Sequence, residues 1–210
     1  MIQLDLNNNE ELKAIELFHR RCKDIGINGL THETFIEKIK ELSRSSVFKF
    51  CYKQQIEKIF IGKRILVADI RSNPFIKRGF RPNELIELGE KHKFKYHKYE
   101  SLGNPFYKRH REEKEPKKAK REYQAYILTS PNAKVQFKEL YEQLDSHHQI
   151  VFIICYCPVE KPKNKYDPGE CHRFWLIELL EKQKRVDLRK KRLVNSDTEV
   201  QETRTEVLEV

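Results

Sequence analysis

A chain of 210 residues, 38% hydrophobic and 35% charged, can bury one core but has no apolar run of the roughly 20 residues that would span a bilayer. Lys and Arg number 42 against 32 Asp and Glu, a net charge of +10, which favours anionic partners, nucleic acid first among them. Five cysteines without a small-scaffold spacing, and a polar start (MIQLDLNNNE) without a signal-peptide core, argue for a reduced, cytoplasmic protein over a disulfide-framed secreted one.

In chain order, Leu12, Ile15, Leu17, Phe18 and Cys22 recur at helical spacing over residues 9–22. Residues 24–28 (DIGIN) read as a short strand, with Gly29 as its turn. Thr31 and Thr34 are candidate caps for a helix that puts Phe35, Ile36, Ile39 and Leu42 on one face and breaks at the serines of 43–46. Another helix is expected over 48–60. Residues 64–70 form a strong strand, ILVADI, ended by RSNP, where Pro74 stops pairing. Pro82 opens the helix PNELIELGEKH. Residues 94–99 (FKYHKY) alternate like a half-buried strand, and LGNP at 102–105 makes a turn. Residues 107–122 hold eight Lys or Arg against four Glu and read as either a solvated helix or a loop. Helical faces follow at 123–128 and from Pro131, the latter with Val135, Phe137, Leu140, Tyr141 and Leu144. The unbroken apolar run 150–155 reads as a central strand covered on both faces. The loop PVEKPKNKYDPGE is exposed, and a helix starts at Cys171.

Four strand candidates separated by helices predict an α/β fold. It is a mostly parallel sheet of about four or five strands with helices on both faces, in a single domain. Residues 1–23 are expected as a helical extension, 24–185 as the domain and 186–210 as a charged, disordered tail.

Ligands of open α/β sheets bind beyond the carboxyl ends of the strands. There the sequence offers Asp69, Arg71 and Ser72, then Gly103 and Asn104, then Cys155, Cys157, Cys171, His172 and Arg173. A thiolate at Cys171 would gain from the helix N-terminus and from Arg173. That makes Cys171, His172 and Asp69 candidate catalytic groups. Arg71, Arg173, Ser72 and Asn104 are candidate anion ligands, since arginine forks suit phosphate and carboxylate. An Asp69–arginine ion pair joining two loops is the competing use of the same residues. Cys155, Cys157, Cys171 and His172 offer soft ligands for a structural zinc, but the spacing is poor for one ion, so neither metal nor cofactor is expected. The basic stretch Lys108, Arg109, Arg111, Lys117, Lys118, Lys120 and Arg121 either tracks a nucleic-acid backbone or is a solvated face of Glu–Lys pairs.

The blocks GINGLTHETFIEKIKEL, VADIRSNPF, the LGNP turn, IICYC and CHR occur in that order. They resemble the family of domain of unknown function 488 over about residues 24–182. The D-x-R-S and C-H-R pair carries most of that likeness. It implies an α/β domain with Asp69, Arg71, Ser72, Cys155, Cys171, His172 and Arg173 as motif residues. It supplies a site and no reaction. The stretches 44–63 and 158–170 are longer than the family pattern. The expected partner is an anionic small molecule or a nucleic acid, and no membrane. The leading reading is an anion-binding, enzymatic site for a nucleotide or nucleic-acid phosphate. The alternatives are a non-catalytic nucleic-acid-binding module and a structural zinc domain.

Overall fold

The structure, a computed structural model, describes residues 12–16, 18, 19, 21–48, 65–73, 80–113, 115–146, 150–158 and 171–206. Within these run β1 (Cys22–Asn28), α1 (His32–Phe48), β2 (Ile65–Asp69), α2 (Pro82–His92), β3 (Phe94–Lys98), a 3-10 turn (Glu100–Leu102), α3 (Tyr107–Glu113), α4 (Pro116–Thr129), α5 (Pro131–Ser146), β4 (Ile150–Pro158) and α6 (His172–Glu206). The strands form one parallel sheet in the order β1-β4-β2-β3. The last strand thus enters between the first two. All four carboxyl ends share one edge, as expected for an α/β domain.

Alternation along the strands divides the core. Leu66, Ala68, Ile70, Val151, Ile153 and Cys155 face α4, α5 and the start of α6, where Tyr123, Leu140 and Trp175 pack. Val67, Phe94, Phe152 and Ile154 face α1 and α2 and meet Phe35, Ile39 and Leu85. Residues 150–155 are buried throughout, because β4 has a strand on each side and helices on both faces. That explains the unbroken apolar run.

Local chemistry sets the helix starts. The Thr34 N–H donates to Thr31 Oγ1 at 3.3 Å and the Thr31 N–H to Thr34 Oγ1 at 2.9 Å, capping α1 reciprocally. Pro82 stands in the first turn of α2, and the Arg81 N–H donates to Glu84 Oε2 at 2.7 Å. A Cβ at Gly89 would lie 2.6 Å from the Phe94 carbonyl oxygen, so only glycine lets α2 lie this close to β3.

Three expectations change. The serines of 43–46 do not end α1, which continues to Phe48; serine in a helix costs under about 0.7 kcal/mol. Among the described residues before 22, Phe18 is fully buried and its ring lies 5.7 Å from that of Tyr141, so this part of the expected extension packs into the domain. The expected disordered tail is helical as far as Glu206. Asp187 ties it down, accepting from the Tyr141 hydroxyl at 2.6 Å and from Gln183 at 2.9 Å. The helix expected over 48–60 lies outside the described residues apart from Phe48, and so does the 158–170 loop apart from Pro158. No helix among the described residues is long and apolar enough to cross a membrane.

Candidate functional site

Asp69 closes β2 and is fully buried. Its carboxylate accepts four hydrogen bonds. Oδ1 takes the Arg71 backbone N–H at 3.0 Å and Arg71 Nε at 2.8 Å; Oδ2 takes Arg71 Nη2 at 2.6 Å and the Tyr96 hydroxyl at 2.9 Å. The chain turns sharply after β2, so an arginine two residues on folds back over the acid that ends the strand. Arg71 Nη2 also donates to the Phe80 carbonyl at 2.6 Å. Its Nη1 is buried and has no hydrogen-bond partner among the described residues. Burial first, then the Asp69 charge, raise the Tyr96 phenol above its ordinary range, so it stays a donor.

A second cluster occupies the other face of the sheet. Cys171 precedes α6, and its carbonyl accepts the Phe174 N–H at 3.0 Å. Arg173, on the first turn, is 4% exposed. Its Nε donates to Asp24 Oδ2 at 2.8 Å and its Nη1 to Cys155 Sγ at 3.1 Å. Its guanidinium carbon lies 4.9 Å from the Phe174 ring centroid. Burial alone would lower its pKa, but Cys155, Cys171 and Asp24 raise it above the ordinary value. Cys155 Sγ and Cys171 Sγ are 3.4 Å apart.

His172 stacks edge-on to Tyr123, centroids 5.7 Å apart, and its ring hydrogen-bonds the backbone of Ile70. Its Nε2 is buried without a hydrogen-bond partner among the described residues. Burial holds the imidazole below its ordinary pKa, against the opposing pull of Cys155. A neutral ring that donates from one nitrogen presents a lone pair on the other.

The two clusters meet through backbone. Ile70 lies between Asp69 and Arg71 and holds His172. A Cβ on Gly103 would stand 2.9 Å from the Ser72 nitrogen and 3.0 Å from the Ile70 carbonyl oxygen, so the turn after β3 lies directly against this segment. Tyr123, buried, fixes that turn by donating to the Leu102 carbonyl at 2.6 Å.

Arg71 and Arg173, both read from sequence as anion ligands, hold separate carboxylates, Asp69 and Asp24, on opposite faces of the sheet. Ser72 is exposed at the bend. Asn104 is buried and shapes the entry to α3. Its Oδ1 accepts the Phe106 N–H at 2.9 Å, and its Nδ2 lies 3.2 Å from His110 Nδ1. In the basic stretch, Arg109 pairs with Glu113 and Glu122, Lys118 with Glu113 and Lys120 with Glu178. Lys108, Lys117 and Arg121 are exposed, and the Arg111 side chain lies outside the described ones. Among the described residues, no group of three or more His, Cys, Asp and Glu could hold a metal ion; the Cys157 side chain is not among them.

Sequence reasoning missed Asp24 and Tyr96. Asp24 had a signal, an acid at the start of an apolar strand. Tyr96 shares its parity with buried Phe94, which turns it toward Asp69.

A family model described as domain of unknown function DUF488 matches residues 61–180, more than half of the sequence. No curated protein matched, and no solved structure did.

Proposed function

This chain belongs to the DUF488 family, and on that premise we propose that its motif residues bind an anion, the phosphate of a nucleotide or nucleic acid, at the carboxyl edge of the sheet. The observation that carries the reading is Arg71 Nη1, a buried guanidinium N–H with no partner among the described residues. A buried charged donor left unsatisfied is costly, and a phosphate oxygen would satisfy it. The edge itself supports the reading, because β4 enters between β1 and β2 and ligands of such sheets bind where the strand order reverses.

In this reading Asp69 and Tyr96 fix the Arg71 fork, and Ser72 lines the approach. Arg173 is a positioning residue that ties α6 to β1 and β4. His172 is the acid–base group of this reading: its neutral Nε2, buried in this structure, accepts a proton from a ligand hydroxyl or a water once ligand entry opens the segment at Ile70 that separates it from Arg71. Proton transfer at that atom is the step that would make the protein an enzyme.

The test is thermal stabilisation by inorganic phosphate, a nucleotide panel and short single strands, on wild type and Arg71→Lys. Lysine keeps a positive charge beside Asp69 but has no second amino group. A phosphate-bearing ligand should stabilise the wild type and lose at least tenfold in affinity against the variant. Equal binding to both proteins, or no stabilisation across the panel, overturns the proposal. Once a turned-over ligand is in hand, His172→Asn should cut turnover by about 10²–10⁴-fold with binding little changed.

A further inference from the structure

Two sulfurs from distant parts of the chain meet beside an arginine. Cys155 ends the buried part of β4 and Cys171 precedes α6, yet their Sγ atoms are 3.4 Å apart as thiols. That is van der Waals contact, and bond formation requires an approach to about 2.05 Å. We propose that Cys155 and Cys171 form a reversible dithiol–disulfide pair, open to exchange with a low-molecular-weight disulfide.

The environments of the two sulfurs assign the order of events. Cys171 is partly exposed, whereas Cys155 is fully buried. An external disulfide therefore meets Cys171 first. The Cys171 thiolate attacks one reagent sulfur and a mixed disulfide forms. The reagent's own sulfur–sulfur bond breaks, and the departing thiolate takes up the proton that Cys171 lost. Cys155 then attacks the Cys171 sulfur. The 155–171 bond forms, the mixed disulfide breaks, and the second reagent thiolate leaves with the proton from Cys155. Two electrons have passed from the protein thiols to the reagent, which ends as two thiols.

Arg173 serves the second step. Its Nη1 donates to Cys155 Sγ at 3.1 Å, and Asp24 holds the guanidinium through Nε. A cation hydrogen-bonded to sulfur stabilises the thiolate, the nucleophilic form. Cys22 has the opposite surroundings. It is buried, and burial and then Asp24 push its thiol well above the ordinary range, so it serves as an internal unreactive control. Once the bond closes, Cys155 can no longer become the thiolate that Arg173 would hold, so the oxidised and reduced forms differ at the guanidinium that joins α6 to the sheet.

The experiment uses the full, folded chain in glutathione buffers of stepped ratio. Acid quenching, alkylation of the remaining thiols, non-reducing digestion and mass spectrometry follow. The expected product is a peptide pair linking 155 to 171, with Cys22 fully alkylated after unfolding and the link reversed by excess reduced glutathione. Cys157→Ser should leave the link in place, and Cys155→Ser should stop the reaction at glutathione on Cys171. A lasting adduct on wild-type Cys171, a link from Cys171 to Cys157 or Cys51, or unchanged thiols at every ratio would overturn the pair. No phosphate or nucleotide is added, so this outcome is independent of the phosphate-binding test.

Discussion

A histidine kept neutral by burial makes folding depend on pH, and the sign follows from which state takes the proton. His172 is held below its ordinary value, mainly by burial. Above about pH 6.5 it is neutral in both folded and unfolded chains and contributes nothing to the slope. As pH falls through that value, the unfolded chain binds a proton that the folded chain refuses. Stability therefore falls until the lower, folded pKa is reached. In His172→Asn, the amide can still donate to the Ile70 backbone but does not titrate. Between about pH 7.5 and 5.5 the wild type should lose more melting temperature than the variant, by about 3–5 °C for a displacement of one pKa unit. Parallel curves would mean that the folded ring takes up its proton as readily as the unfolded one. Gly103 gives a second prediction. An alanine Cβ there meets backbone, the Ser72 nitrogen at 2.9 Å and the Ile70 carbonyl oxygen at 3.0 Å, and neither can rotate away. Gly103→Ala should cost about 1–3 kcal/mol in denaturant unfolding. It should also weaken phosphate binding, since the displaced segment carries Arg71.

Among the elements, α6 joins the candidate site to the far side of the molecule. Its first turn holds His172 and Arg173, and further along Asp187 takes the Tyr141 hydroxyl while Lys184 pairs with Asp145. Burial and then Asp187 raise the Tyr141 phenol above its ordinary range, so it remains a donor to that carboxylate. Asp187→Ala removes the acceptor and should cost about 1.5–3 kcal/mol; a chain ending after Val194, which is 63% exposed, should melt close to the full one. Equal melting of Asp187→Ala and wild type would show that the helix is held by its apolar face alone. The elements were legible where one local pattern decided them. β2 and β4 announced themselves as apolar runs, and α2 by its proline and alternating face. Helix propensity lay behind the two errors, at the serines of α1 and in the charged end of α6, where long Lys, Arg and Glu side chains favour helix as much as disorder. The site was legible where its residues are neighbours in sequence, as in Asp69-Arg71 and Cys171-His172-Arg173. It was opaque where the partner is remote: Asp24 meets Arg173 across 149 positions, and no local pattern encodes that contact.

For the molecule as a whole, +10 of net charge is a sum, and what a nucleic acid meets is the share of cations not already neutralised. In the α3–α4 region Arg109, Lys118 and Lys120 are tied to Glu113, Glu122 and Glu178. Lys108, Lys117 and Arg121 are exposed and form no ion pair among the described residues. Three phosphate contacts on a single strand release about 0.7 counterion each, so the logarithm of affinity should fall with the logarithm of salt at a slope near −2 from this surface. A mononucleotide held at Arg71 should show a shallow slope, since one phosphate is involved. Replacing Lys108, Lys117 and Arg121 together by Gln should then flatten the single-strand slope toward the mononucleotide one and leave mononucleotide affinity unchanged. Arg71→Lys should instead weaken both ligands by a similar factor at every salt concentration. If the triple Gln variant keeps the wild-type slope, the strand does not run over α3 and α4, and the basic charge there acts only through its pairs with glutamate.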